Sequence, residues 1–147
     1  MLHVVCPHCA TINRLAEDRL GAGGRCGRCK QALFAGEPVN LTMDNVERFL
    51  GDNDIPVIID FWASWCGPCM TFAPVFAGSA QRLEPLVRLA KVDTQAYPQL
   101  AQRFGIRSIP TLVAIRRGRE IARQSGAMGQ ARFEAWAHQV AGQGAAG

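Results

Sequence analysis

The six cysteines fall into three Cys-x-x-Cys pairs, Cys6/Cys9, Cys26/Cys29 and Cys66/Cys69. Thiols at that spacing either exchange a disulfide or ligate a metal, and their surroundings divide these six as two plus four. Cys66-Gly67-Pro68-Cys69 follows Val57-Ile58-Ile59-Asp60-Phe61-Trp62, an apolar, β-branched run that predicts a strand buried on both faces. It precedes Met70 to Leu83, where Phe72, Val75, Phe76, Ala80 and Leu83 recur at helical spacing. The two sulfurs therefore sit where a strand passes into a helix. Unpaired backbone N–H groups and the positive end of the helix dipole stabilise a thiolate on Cys66 there. With two residues between them, one helical turn brings both sulfurs within bonding distance, so the pair can cycle between dithiol and disulfide without unfolding. Gly67 permits the tight entry, and Pro68 occupies the first turn, where its missing N–H costs nothing.

Cys6-Pro7-His8-Cys9 and Cys26-Gly27-Arg28-Cys29 are separated by residues 10–25, a spacing suited to a four-thiolate zinc site. Each knuckle offers two sulfurs from one turn, with Pro7 and Gly27 expected to supply the turn chemistry. Disulfides among these four are the less favoured alternative, because the chain opens with Met1-Leu2-His3-Val4-Val5-Cys6, without the basic and apolar regions of a secretory signal. His3 and His8 are expected to be bystanders, and Arg14, Arg19, Arg25, Arg28 and Lys30 to offset the charge of the thiolates. Val4, Val5, Ile12, Leu15, Leu20, Leu33 and Phe34 make too small a core for the segment to fold unaided, so zinc is expected to contribute folding energy. Gly21 to Gly24 reads as a flexible connector. The boundary is placed near Phe34 to Gly36, dividing a zinc-binding domain (1–36) from a redox domain (37–147).

Composition narrows the function. Of 147 residues 48% are hydrophobic, which suits a compact fold. The net charge of +4 is spread along the chain, and Phe34 is the single aromatic among the basic residues of the first segment, so nucleic-acid binding is not expected. No apolar run approaches the roughly 18 residues of a membrane span. These features together predict a cytoplasmic protein.

The elements that must position the redox cysteines follow from the remaining pattern. Val39 to Leu41 predicts a short strand, and Thr42 caps a helix to about Leu50 with Met43, Val46, Phe49 and Leu50 turned inward. After the buried strand and the active-site helix, which Pro74 should kink, Leu86 to Asp93 predicts a strand. A short helix around Leu100 to Phe104 closes at Gly105. Thr111 to Ile115 and Glu120 to Gln124 form a hairpin about Arg116-Arg117-Gly118-Arg119, and a helix from Gln130 to Val140 precedes a frayed tail, Gly142 to Gly147. This α/β order predicts a mixed sheet covered by helices on both faces.

Trp65-Cys66-Gly67-Pro68-Cys69 resembles the active-site motif of the thioredoxin family, and the predicted order from residue 37 to 141 resembles its fold. With the knuckled extension, nearly the whole chain is similar to the zinc-bearing thioredoxins of the thioredoxin 2 type. Gly-Pro between the cysteines points to the reducing end of that superfamily. The resemblance implies that Asp60 relays the proton of Cys69, with Lys91 as its charge partner. On the residues alone, Asp60 is a desolvated acid in a buried strand and Lys91 could equally be an exposed strand lysine. The resemblance also implies a cis Ile109–Pro110 bond within Arg107-Ser108-Ile109-Pro110-Thr111, facing the cysteines, and a flat docking surface of Trp65, Gly67, Pro68, Ile109, Pro110 and Gly126, with Trp62 as support beneath. It implies protein-disulfide reduction, oxidised proteins as substrates and an NADPH-dependent thioredoxin reductase as electron donor, in a monomer. Met70 stands where many thioredoxins carry a basic residue, and Ser125 where an apolar one is common. A redox-switched zinc-dependent binding module and a disulfide oxidase or isomerase are the rival readings.

Overall fold

The computed structural model of the chain describes residues 1–146. Two sheets form: a hairpin of β1 (Leu2–Val5) and β2 (Ile12–Leu15), and a five-stranded sheet. The second contains β3 (Val39–Asn40), β4 (Val57–Trp62), β5 (Arg88–Asp93), β6 (Thr111–Arg116) and β7 (Arg119–Ser125), in the order β3-β5-β4-β6-β7. β3 and β4 run parallel to β5, whereas β6 runs antiparallel to both β4 and β7, giving the mixed sheet expected. β4 is central, and all of its residues except Trp62 are fully buried.

Because side chains alternate along a strand, β4 sends Val57, Ile59 and Phe61 to one face and Ile58 to the other. The first face is covered by α1 (Val46–Gly51), α3 (Pro98–Arg103) and Val5 of β1. The second is covered by α2 (Gly67–Leu83) and α4 (Gln130–Ala146), where Phe72, Phe76 and Phe133 pack with ring centroids 5.4–5.8 Å apart. Pro74 lies inside α2 and leaves the Met70 carbonyl without its helical donor.

Several boundaries differ from the sequence reading for local reasons. α1 starts at Val46 because Thr42 to Asn45 form a hydrogen-bonded turn instead, in which the Thr42 N–H donates to Asn45 Oδ1 and the Asp44 N–H to Thr42 Oγ1. Met43 is consequently exposed, not inward. α4 continues to Ala146, past the expected end at Val140, so the glycines at 142 and 144 do not stop it; Gly147 lies outside the described residues.

The first 36 residues hold more order than expected. β1 and β2 pair from Leu2↔Leu15 to Val5↔Ile12, and Glu17–Arg19 form a 3-10 turn. Where a flexible connector was anticipated, Gly23 adopts a left-handed φ of 73° and the Gly24 carbonyl accepts from Leu33 N–H. This segment also docks on α1 and the loop that follows it. Val5 N–H donates to Asn53 Oδ1 at 2.9 Å, His3 N–H to Asp54 Oδ2 at 2.7 Å, and Arg48 Nη1 to the Ala10 carbonyl at 2.8 Å.

Candidate active site and metal centre

The buried strand β4 delivers the chain to Ala63, and α2 begins at Gly67, so Cys66 is the N-cap of the helix. Its backbone is extended (φ −90°, ψ 110°), and its sulfur accepts a hydrogen bond from the Cys69 N–H at 3.2 Å. This is the amide that an N-cap oxygen would otherwise satisfy. Cys66 and Cys69 are joined as a disulfide with Cα atoms 5.2 Å apart. Cys69 is 1% exposed and Cys66 5%, and both pack with Ala63, Trp62 and Ile109. The arrangement offers a redox pair whose first sulfur caps the helix terminus and whose second lies one turn into the helix.

Ile109–Pro110 is cis, and the Ile109 carbonyl oxygen lies 3.7 Å from Cys66 Sγ. Pro110 is buried, and its carbonyl accepts from Gly126 N–H at 2.8 Å, with Gly126 in the left-handed region at φ 94°. Beside the disulfide runs a groove of about 440 Å³ lined by Trp65, Cys66, Gly67, Pro68 and Ile109. Thr94, Ala101, Ile106, Arg107 and Ser108 complete it. These five were not read as groove residues from the sequence, although Arg107 and Ser108 flank the proline motif. Trp65 is 70% exposed at the rim. Pro110 and Gly126 are not among the residues that line this groove, and Gly126 is exposed.

Asp60 is fully buried, and neither carboxylate oxygen has a hydrogen-bond partner among the described residues. Burial pushes its carboxyl up from 3.8 to about 7, an effect that the positive charge of Lys91 partly opposes. Lys91 is directly opposite Asp60 in the β4–β5 register, and strand alternation puts both on the α2 face of the sheet. Lys91 is half-buried, and its ammonium sits 4.6 Å from the Trp62 ring centroid. Its influence on Asp60 is thus a through-space charge, not the salt bridge that a buried partner suggests. Trp62 is half-buried under the motif, as expected of a support.

The four remaining cysteines converge. Their Sγ atoms all lie within 4.8 Å of one another, with Cys6–Cys29 and Cys9–Cys26 at 3.6 Å. Thiolates about 2.3 Å from a tetrahedral zinc are about 3.8 Å apart, so the donor set fits such an ion. Backbone amides point at the first sulfur of each knuckle: His8 N–H at Cys6 and Arg28 N–H at Cys26, both 3.4 Å. The Cys29 amide, the largest influence, holds the Cys26 thiol down to about 5, whereas burial pushes Cys6 up to about 12. His3 and His8 are exposed and stand outside the cluster, as expected. Pro7 and Gly27 open the turn of each knuckle, and Ala10 (φ 61°) and Lys30 (φ 67°) follow it in left-handed backbone. Asn13 was missed: its Oδ1 accepts from Gly27 N–H at 2.9 Å while its Nδ2 lies 3.5 Å from Cys26 Sγ, so one amide braces the second knuckle. Nothing in the sequence separates this asparagine from an ordinary hairpin residue.

Among the described residues no helix is long and apolar enough to cross a membrane. The family model described as Thioredoxin matches residues 37–139, and that described as Thioredoxin 2, N-terminal, matches residues 5–31. Thioredoxin C-3 of Corynebacterium nephridii is 44% identical over 92% of this chain and 93% of its own length. Putative thioredoxin 2 of Streptomyces coelicolor is 48% identical over 63% of this chain and 68% of its own. The solved thioredoxin of Malassezia sympodialis (Mala s 13) superimposes with a TM-score of 0.62 at 35% identity, covering 69% of this chain and 89% of that one. With its motif at disulfide distance, its four ribbon cysteines drawn together and both parts matched, the chain belongs to the thioredoxin family of disulfide reductases, in the form that carries a thioredoxin 2 N-terminal ribbon.

Proposed function

We propose that this thioredoxin reduces protein disulfides with Cys66 as attacking and Cys69 as resolving thiol. The observation that carries the assignment is the capping geometry, in which Cys66 Sγ accepts the Cys69 N–H at the first turn of α2. That amide and the helix dipole favour a thiolate on Cys66 over one on Cys69. The Cys66 thiolate attacks one sulfur of the substrate disulfide, forming a mixed disulfide and expelling the other sulfur as a thiolate that takes up a proton. Cys69 then loses its proton to Asp60, whose carboxyl titrates at about 7, and attacks Cys66. The substrate leaves as a dithiol, and Cys66 and Cys69 leave as the disulfide. Lys91 keeps Asp60 from rising further.

Gly67 and Pro68 shape the entry to α2, while Trp65 and Ile109 present the groove surface, next to Pro110 and the Gly126 that hydrogen-bonds its carbonyl. An extended substrate segment pairs with the backbone at Ile109. Electrons return from NADPH through a thioredoxin reductase, and the protein works as a cytoplasmic monomer divided at residues 36/37. Cys6, Cys9, Cys26 and Cys29 hold one zinc ion, which supplies folding energy to the ribbon without redox chemistry of its own.

The test is Cys69→Ser in a reductase-coupled NADPH assay with insulin as the protein disulfide. Turnover should cease while a covalent adduct through Cys66 accumulates, visible by non-reducing electrophoresis and lost on further substitution of Cys66. Adducts through Cys69 in Cys66→Ser, with none in Cys69→Ser, would reverse the order of attack.

A further inference from the structure

Arg88 opens β5, and it is the bulkiest fully buried side chain among the described residues. Strand alternation turns it to the α1 face, the side on which Val5 joins the core. One guanidinium nitrogen donates to Glu84 Oε2 at 3.1 Å. A second donates to the Leu33 carbonyl at 2.8 Å and to the Val5 carbonyl at 3.3 Å, and the third, Nε, has no partner among the described residues. The Phe34 ring covers it at 4.6 Å, and Glu84 Oε1 accepts from Gly36 N–H at 2.8 Å. A guanidinium of the redox sheet is thus enclosed largely by residues 5 to 36.

Those contacts end at the metal centre. Val5 immediately precedes the ligand Cys6, and Leu33 packs directly on Cys6 and Cys26. Four thiolates around a divalent cation carry two excess negative charges, and Arg88 is a buried cation hydrogen-bonded to the carbonyl of Val5, the residue next to Cys6. A buried guanidinium, in turn, requires acceptors that water no longer provides. Val5 and Leu33 present theirs only when the ribbon is folded, and a ribbon of this size folds around its metal. Each side supplies what the other lacks.

We infer that Arg88 is a positioning residue for the metal centre, clamping the Cys6 knuckle to the redox sheet so that metal retention and the stability of the thioredoxin fold are coupled. The inference rests on the proposed occupancy of the four cysteines. The ties from His3 to Asp54 and from Arg48 to Ala10 are exposed and contribute less. Because coupling free energies are reciprocal, loosening the clamp weakens metal binding by the factor by which it uncouples unfolding from the metal.

Trp62, Trp65 and Trp136 all lie outside the ribbon, so tryptophan fluorescence follows unfolding of the redox part alone. In the full-length reduced protein, removing the metal with a chelator should lower the tryptophan unfolding midpoint. In Arg88→Lys, which keeps the charge but loses the planar fork, chelator competition should show metal affinity reduced about 10- to 100-fold. The chelator-induced shift of the midpoint should shrink as well. A merely structural role for Arg88 would lower the midpoint yet leave both the affinity and the chelator shift as in the wild type. Phe34→Leu should reproduce the pattern at smaller amplitude, and it decides the matter if Arg88→Lys does not fold. An unmoved tryptophan transition in metal-stripped wild type, or wild-type metal affinity in the folded variants, would overturn the inference alone. Protein that purifies with full thiol content and no metal would overturn the zinc assignment with it.

Discussion

The two Cys-x-x-Cys knuckles of the ribbon and the Cys66/Cys69 pair share a spacing and even a first hydrogen bond. Ala10 N–H returns to the Cys6 carbonyl, Lys30 N–H to Cys26 and Met70 N–H to Cys66, at 3.0 to 3.1 Å. They part at the next residue. Ala10 and Lys30 adopt left-handed φ, and the chain doubles back so that Cys6 N–H meets Thr11 and Cys26 N–H meets Gln31. Met70 continues the helix. The reversal lets two knuckles face each other and close four sulfurs into one cluster. Continuation instead leaves a pair backed by a helix terminus, with a groove in front of it. Spacing makes the pair, and the backbone after the second cysteine decides between holding a cation and passing electrons.

The sharpest way to separate the two environments is to remove one sulfur from each. Cys66→Ser should abolish disulfide reduction while metal content, measured by atomic absorption, stays as in the wild type. Cys26→Ser should do the reverse: metal is lost, and the unfolding midpoint falls by on the order of 10 °C, since the ribbon loses its main source of folding energy. Residual reduction by Cys26→Ser below its unfolding transition would confirm that the sites are chemically separate. Equal loss of activity in both would break the comparison.

Asp60→Asn sharpens the redox side. Its loss should slow reduction about 100-fold, a typical contribution of a positioned general base. The same substitution should stabilise the protein at alkaline pH, and the sign follows from burial. The folded carboxyl titrates at about 7 against 3.8 ordinarily, so the folded state holds its proton more tightly than the unfolded one. Stability from this site is greatest below about pH 4, declines as pH rises towards 7 and is level beyond it. Denaturant melts should therefore find Asp60→Asn more stable than wild type by roughly 2 to 4 kcal/mol at pH 8, and nearly equal at pH 4.

Two smaller effects test the bracing. Asn13→Ala removes the acceptor of Gly27 N–H and the donor to Cys26, and should cost about 1 kcal/mol, seen as a modestly lower midpoint with the metal still bound. Met70→Lys puts a cation one turn from Cys66 on an exposed position, and should modestly favour the Cys66 thiolate once the pair is reduced, an effect that added salt erases. Iodoacetamide alkylation rates against pH measure it.

Much of this was legible in the residues, because the informative patterns are local. The β-branched run before Cys66 could be little other than a central strand, and the periodicity after it little other than a helix. Paired knuckles marked the four candidate ligands by their spacing. What stayed hidden depends on contacts distant in sequence or on backbone that residue type does not dictate. Ala10 and Lys30 gave no sign of left-handed φ, since neither is glycine or asparagine. Val5 looked like part of a sliver of ribbon core but completes the main one, and nothing in the predicted strand Leu86 to Asp93 marked Arg88 as the side chain that is wholly enclosed. Lys91 sits opposite Asp60 as the resemblance suggested, yet it meets the Trp62 ring and not the carboxylate, a choice that only the packed sheet makes.

The division of labour among the six cysteines is tested most directly by counting thiols. Metal-loaded, fully reduced protein is treated with one equivalent of a small-molecule disulfide, alkylated and mapped by peptide mass spectrometry. Oxidation should fall on Cys66 and Cys69 alone, with Cys6, Cys9, Cys26 and Cys29 recovered as thiols and the metal still bound. Ribbon cysteines oxidised first, with metal released while Cys66 and Cys69 remain reduced, would contradict the account.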